Sequence, residues 1–243
     1  MRLAFIFVAA LALLAPTLEA RELRWRELTV RAELDAEGRL LVQERHTMVF
    51  DGDWNGGERS FRVEPGQKLE FHSIDRVDPE RGAVALRRGD LDEIDRWDWS
   101  SRHVLRWRSR LPSDPPFADT ELTYVLTYAL SDILVPRGGG YVLDHDFAFA
   151  DRFGVIERFV LELELAPEWR TSEPLEGSVV LTDLYPGIGA PVTVPLEHAE
   201  DRPLAGVTRP LGAEWRHVAL AATLAGMVAM LLPFLRRERA LGR

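Results

Sequence analysis

Cysteine is absent from all 243 residues. That absence removes disulfide scaffolds and thiol nucleophiles, and it fits a bacterial envelope protein better than a stapled secreted module. Lysine is nearly absent too: Lys68 is the only one, so positive charge is almost all arginine, which reads as composition bias. No G-x-S-x-G elbow offers a serine nucleophile. The glycine-rich run RGGGY at 137–141 lacks the lysine and following helix that a phosphate cradle needs. Long helical periodicity is missing outside the two ends of the chain.

Those ends carry the apolar runs. Residues 1–20, MRLAFIFVAALALLAPTLEA, place one early arginine before an apolar stretch and end on a small residue. This is the layout of a secretory signal peptide, with Leu18 standing where a small residue is usual before cleavage after Ala20. Near the other end, VALAATLAGMVAMLLPFL at 218–235 holds no charge over eighteen residues. As a helix it would extend roughly 27 Å, about the thickness of a bilayer core. Arg236, Arg237 and Arg239 follow, which marks the cytoplasmic side. The expected organisation is a signal peptide (1–20), an exported domain (21–216), a single transmembrane helix (217–235) and a basic cytoplasmic tail (236–243). Ala221, Ala225 and Ala229 recur every four residues and form a small-residue stripe that permits self-association of spans.

The net charge of −9 conceals an asymmetry, since the signal segment is neutral and the tail carries +3, leaving the exported region near −12. Such a surface repels phosphate backbones and anionic headgroups, so nucleic acid is not an expected partner. A neutral or basic envelope protein suits it better.

Within the exported region, short alternating segments separated by Gly, Pro and Asp clusters predict about ten strands. ELRWRELTVRAELDAEGRLLVQERHTMVF reads as two strands joined at DAEG, and RFVLELELA at 158–166 alternates as a half-buried strand. GDLDEIDRW at 89–97 is the one candidate for a helical turn. An all-β fold, an antiparallel β-sandwich, is therefore expected, with the chain after PSDPPFADT at 112–120 either continuing one sandwich or opening a second.

Three segments carry a resemblance. GRLLVQERHTMVF, LTYVLTYALSDIL and RFGVIERFVLELELAPEW, in that order, resemble the exported region of the predicted membrane proteins called domain of unknown function 2207. Glu44 matches the glutamate of that pattern, Phe50 its phenylalanine, and Tyr124 and Tyr128 its tyrosines. The resemblance implies a place and a shape, not a reaction. This chain departs from it in having one span in place of a larger membrane region, and DHDF at 144–147 where a tryptophan is expected.

Several clusters invite a chemical reading. Alternation puts Leu40, Val42, Glu44, His46, Met48 and Phe50 on one strand face, so a carboxylate and an imidazole share an apolar side. A buried carboxylate needs a partner, and an arginine from a facing strand would serve, making Glu44 and His46 a structural polar core. Asp144, His145 and Asp146 are types that bind zinc, but adjacent strand positions point to opposite faces. DGDWNG at 51–56 resembles an oxygen-rich calcium loop without the closing glutamate, since Arg62 stands there; a turn is the better reading. Trp97, Trp99 and Trp107, with arginines nearby, are candidates for a sugar-stacking platform. The reading these features support is a non-enzymatic, membrane-anchored β-domain of the bacterial envelope, acting as a binding or assembly module without cofactor. The alternative is a protein that binds or hydrolyses envelope glycans, using those tryptophans and a carboxylate pair such as Asp144 and Asp146.

Overall fold

A computed structural model describes residues 21–172, 175, 177–207, 220–224 and 227. The expected signal peptide, the basic tail and most of the expected span, including Ala225 and Ala229, lie outside the described residues. Residues 220–224, with Ala221, are helical and exposed. Among the described residues no helix is long and apolar enough to cross a membrane.

From residue 21 to 207 the described residues are all-β. Its strands in order are β1 (Glu22–Leu34), β2 (Leu40–Gly52), β3 (Gly56–Ser60), β4 (Lys68–Asp78), β5 (Gly82–Ala85), β6 (Arg87–Arg88), β7 (Arg96–Ser101), β8 (Val104–Arg108), β9 (Phe117–Ser131), β10 (Leu134–Arg137), β11 (Gly140–Asp146), β12 (Ile156–Leu165), β13 (Trp169–Arg170), β14 (Val179–Leu184) and β15 (Pro191–His198). A seven-stranded sheet runs β14-β12-β1-β2-β9-β4-β5; two four-stranded sheets run β10-β11-β15-β13 and β3-β8-β7-β6. The segment 89–97 forms turns leading into β7 and not a helical turn. Pairing is mostly antiparallel, but β1 pairs with β12 in parallel, Leu28 opposite Phe159 and Leu34 opposite Leu165. That long-range pair places the starts of β1 and β12 at one end of the molecule.

Alternation fixes which face of the large sheet is buried. Leu28, Val30, Ala32 and Leu34 on β1, and Leu40, Val42, Met48 and Phe50 on β2, are all at most 3 % exposed. A bulge between Trp25 and Glu27 keeps Trp25 on this face despite the odd spacing to Leu28. The opposite face carries cross-strand ion pairs such as Arg24–Glu157 and Arg31–Glu162. Aromatic residues join the buried face to the smaller sheets: Phe61 meets Tyr128 at 5.0 Å and Trp107 meets Tyr124 at 5.2 Å. Buried residues before and after residues 112–120 belong to one continuous apolar cluster.

The two ends of the sheet differ in what they hold. At the β1–β2 turn, Gly38 takes a φ of +79° that a side chain would resist, and Gly206 donates its N–H to the Glu37 carbonyl at 2.8 Å. Val207, where the chain heads towards residues 217–235, packs there against Gly38. The other end, where β1 begins, lies roughly 40 Å away at about 3.3 Å per strand residue.

Candidate functional site

Two adjoining regions concentrate the polar chemistry. The first is the buried group on β2. Glu44 and His46 are both fully buried, and Arg59 of β3 reaches across the layers to them at 3 % exposure. Arg59 Nε and Nη2 donate to Glu44 Oε2 and Oε1 at 2.9 and 2.7 Å, a two-pronged pair. The Tyr128 hydroxyl donates to Oε1 at 2.7 Å. His46 Nε2 lies 2.8 Å from Oε2, and Trp25 Nε1 lies 2.9 Å from His46 Nδ1. Because an indole can only donate, Nδ1 must accept, and the ring's remaining proton sits on Nε2 and is given to Glu44.

Burial alone would push the Glu44 carboxyl up. The Arg59 charge and the hydrogen bonds from Arg59 and His46 outweigh it and hold the group well below the usual carboxylate range. Burial and the neighbouring carboxylate push Tyr128 well above an ordinary phenol. Glu44 is thus a fixed anion with its lone pairs occupied, too weak a base and too enclosed for proton transfer. Arg59 also lies over the Phe149 ring at 4.1 Å and near Phe61 at 4.8 Å. Phe149 reaches this place with a φ of +35°, an unfavourable region for a bulky residue, and its ring also meets Trp25 at 5.7 Å.

Trp25 and Phe149 form the wall between this network and the second region, an open cleft of about 380 Å³ at the end where β1 begins. Gly57 of β3 forms part of its lining beside Trp107, and a Cβ on Gly57 would fall 2.1 Å from the Trp107 ring, so only glycine permits the approach. Trp54 and Phe153 stand at the rim with ring centroids 6.4 Å apart, and Phe153 is 73 % exposed. Arg152 anchors the adjacent loops: Nη1 donates to the carbonyls of Ala148, Phe149 and Ile188, and Nη2 to those of Leu184 and Tyr185.

The cleft differs from the network in its hydrogen-bond balance. Trp54 Nε1 and Arg152 Nε are buried and have no hydrogen-bond partner among the described residues. Trp107 Nε1 also lacks a partner in hydrogen-bond geometry, although the indole is near enough to the Tyr124 hydroxyl to offset part of the rise that burial causes there, which brings it to about 12. Burial without a paired carboxylate lowers the Arg152 pKa. Arg21 lies over the Trp54 ring at 4.7 Å, and Arg108 gives its Nε to the Leu91 carbonyl. Among the described residues neither Arg21, Arg108 nor Arg152 has a carboxylate within ion-pair distance, whereas Arg106 is paired with Glu58.

The other sequence candidates fall elsewhere. Trp97 and Trp99 pack edge to face on Phe71, at 4.9 and 5.6 Å, and Trp107 is 2 % exposed. The three are interlayer packing and not an open platform, because their strand face points at the large sheet. Asp144 accepts from Thr193, while Asp146 Oδ1 caps a turn by accepting the N–H groups of Ala148 and Ala190 at 3.0 and 2.7 Å. His145 meets Phe147 edge to face at 4.8 Å and borders a cavity of about 290 Å³ with Arg59 and Asp151; burial and the Arg59 charge bring it down to about 4. No group of three or more His, Asp or Glu residues that could hold a metal ion occurs among the described residues. In the DGDWNG turn the buried Arg110 occupies the interior: it reaches Asp53, Asn55 Oδ1 and the Trp54 carbonyl, so a guanidinium fills the space a calcium ion would need.

Sequence reasoning touched the cleft only at Trp107 and at the DGDWNG segment, and for other roles. Trp54, Arg152 and Phe153 lie in loops, and only the fold brings them beside Gly57 and Trp107.

Comparison with known proteins adds little. No family model matches the chain. No curated protein matches it either. Among solved structures it is similar to one named "putative protease from Parabacteroides distasonis ATCC 8503", at 10 % identity and a TM-score of 0.37, over 73 % of this chain and 40 % of that one. The chain thus spans well under half of that protein, and so distant a likeness carries no inference about activity.

Proposed function

We propose that this protein is a membrane-anchored, extracytoplasmic β-sandwich that serves as a binding or assembly module of the bacterial envelope, and that it is a shortened relative of the domain of unknown function 2207 proteins. The observation that carries the binding reading is the cleft: it gathers unpartnered buried donors and an exposed aromatic rim, while the neighbouring buried ionisable groups are engaged with one another. Uncommitted donors are costly to keep in a folded protein, by about 1–3 kcal/mol each, and a partner's acceptors relieve that cost. The family affiliation rests on the sequence resemblance alone. Glu44, Phe50, Tyr124 and Tyr128, which carry the resemblance, are all buried on the neighbouring strands β2 and β9.

The envelope location rests on the two apolar end segments of the sequence. Val207, the last described residue before 220, lies beside Gly38, at the end of the sheet opposite the cleft. The glycan alternative relied on Trp97, Trp99 and Trp107 and on Asp144 and Asp146; Trp97 and Trp99 pack on Phe71, the two aspartates are taken up in hydrogen bonds, and Trp107, which lines the cleft, is 2 % exposed. Crosslinking and affinity capture of the full chain from membranes tests the assembly reading. One reproducible envelope partner supports it, and glycan binding with no protein partner overturns it.

A further inference from the structure

We propose that the cleft at the start of β1 is a receptor for a peptide segment in which an acidic residue stands beside an aromatic or large aliphatic one. This rests on the binding-module reading above and specifies its ligand. The cleft collects four arginines, Arg21, Arg106, Arg108 and Arg152, against two carboxylates, Glu58 and Asp151. In an exported region near −12, this is a local reversal of sign. Of those arginines only Arg106 has a carboxylate partner among the described residues. The rest give hydrogen bonds to carbonyl oxygens and have no carboxylate within ion-pair distance, although Asp146 and Asp151 act on Arg152 from farther off, and Arg152 Nε is unpartnered.

An anion is the complement of such a set, and a carboxylate matches a guanidinium in shape as well as charge. A free anion would not account for the rim. Phe153, 73 % exposed beside Trp54, gives the opening an apolar lip, and Tyr185 and Ile188 are also exposed on the loop that Arg152 fastens. Arginine next to tryptophan and phenylalanine is the composition found where peptide side chains anchor in protein interfaces. A cleft of about 380 Å³ has room for a few side chains and not for a folded domain. The acidic remainder of the domain then works as a filter: screening confines the arginine field to about 10 Å at ordinary salt, so a uniformly acidic partner is repelled, whereas a short acidic segment that enters the cleft is held. An anionic bilayer surface is a poorer match, because the acidic remainder of the exported region would lie against its headgroups.

Selection of a phage-displayed random peptide library on the full chain in lipid nanodiscs tests this and requires no named partner. Enriched sequences should carry Asp or Glu within two positions of an aromatic or large aliphatic residue. A synthetic peptide of the enriched sequence should bind about tenfold more weakly when its acids become Asn and Gln, and also to Arg108→Gln and to Phe153→Ser chains that melt like wild type. Enrichment without acidic residues, or binding unchanged in both variants, overturns the proposal, as does capture of the wild-type chain by phosphatidylglycerol vesicles that Phe153→Ser abolishes. The outcome separates from that of membrane capture. A partner captured equally well by Arg108→Gln and Phe153→Ser chains would uphold the assembly reading and sink this cleft.

Discussion

Two regions sharing one wall use the same kinds of residue to opposite ends. In the Glu44 network an arginine, a tyrosine and a histidine close on one carboxylate, a tryptophan donates to that histidine, and the donors aimed inward are received. In the cleft beyond Trp25 and Phe149, arginines and tryptophans converge and keep donors unspent. A buried ionic group is therefore weak evidence of a site by itself. What distinguishes structure from readiness to bind is whether the hydrogen-bond valences close within the chain.

The sharpest way to break the comparison is to open the closed region. Arg59→Ala leaves Glu44 charged and buried without its partner, which costs about 3–5 kcal/mol. The expected outcome is a large fall in the denaturation midpoint of the full chain, or loss of folded protein. A midpoint within error of wild type would mean that water reaches Glu44 and that the network is not closed.

Acid probes the same region more gently. Glu44 is depressed in the fold, so its contribution is complete above the ordinary carboxylate value of 4.5 and drains away as the pH falls below it. His145, across the Arg59 cavity, slopes the same way for the opposite reason. Held down to about 4 from an ordinary 6.5, it stays neutral in the fold while the unfolded chain takes up a proton, so stability declines as the pH falls from 6.5 to 4. His145→Gln should flatten the midpoint between those values and leave the loss below 4.5. Identical pH profiles for the two proteins would remove His145 from the account.

The smallest expected effect lies in the open region. Phe153→Ser touches an exposed rim, so stability should change by less than about 0.5 kcal/mol, measured by the same midpoint. A loss as large as that of Arg59→Ala would make the rim a structural element and erase the contrast.

Much of this arrangement is legible from sequence wherever the physics is local. Period-two alternation marks β2 and puts Glu44 and His46 on its apolar face, and the same rule, read over 158–166, marks all but the first two residues of β12. Local rules fail at Trp97 and Trp99: aromatics spaced two apart look the same whether a strand faces water or another sheet. They also fail at β7, where GDLDEIDRW carries enough charge to resemble a helical turn although its last residues are strand.

By itself the sequence determined an all-β chain whose second strand buries an ionisable pair, because side-chain alternation is a property of the strand alone. Only the tertiary structure decided which groups complete that pair and which remain open. Arg59 meets Glu44, and Trp54 and Arg152 meet Trp107 around one cleft, through contacts between layers and a parallel pairing of β1 with β12, whose Arg24–Glu157 bond joins residues 133 apart. Such contacts are set by how whole sheets stack, and no spacing within one strand encodes them.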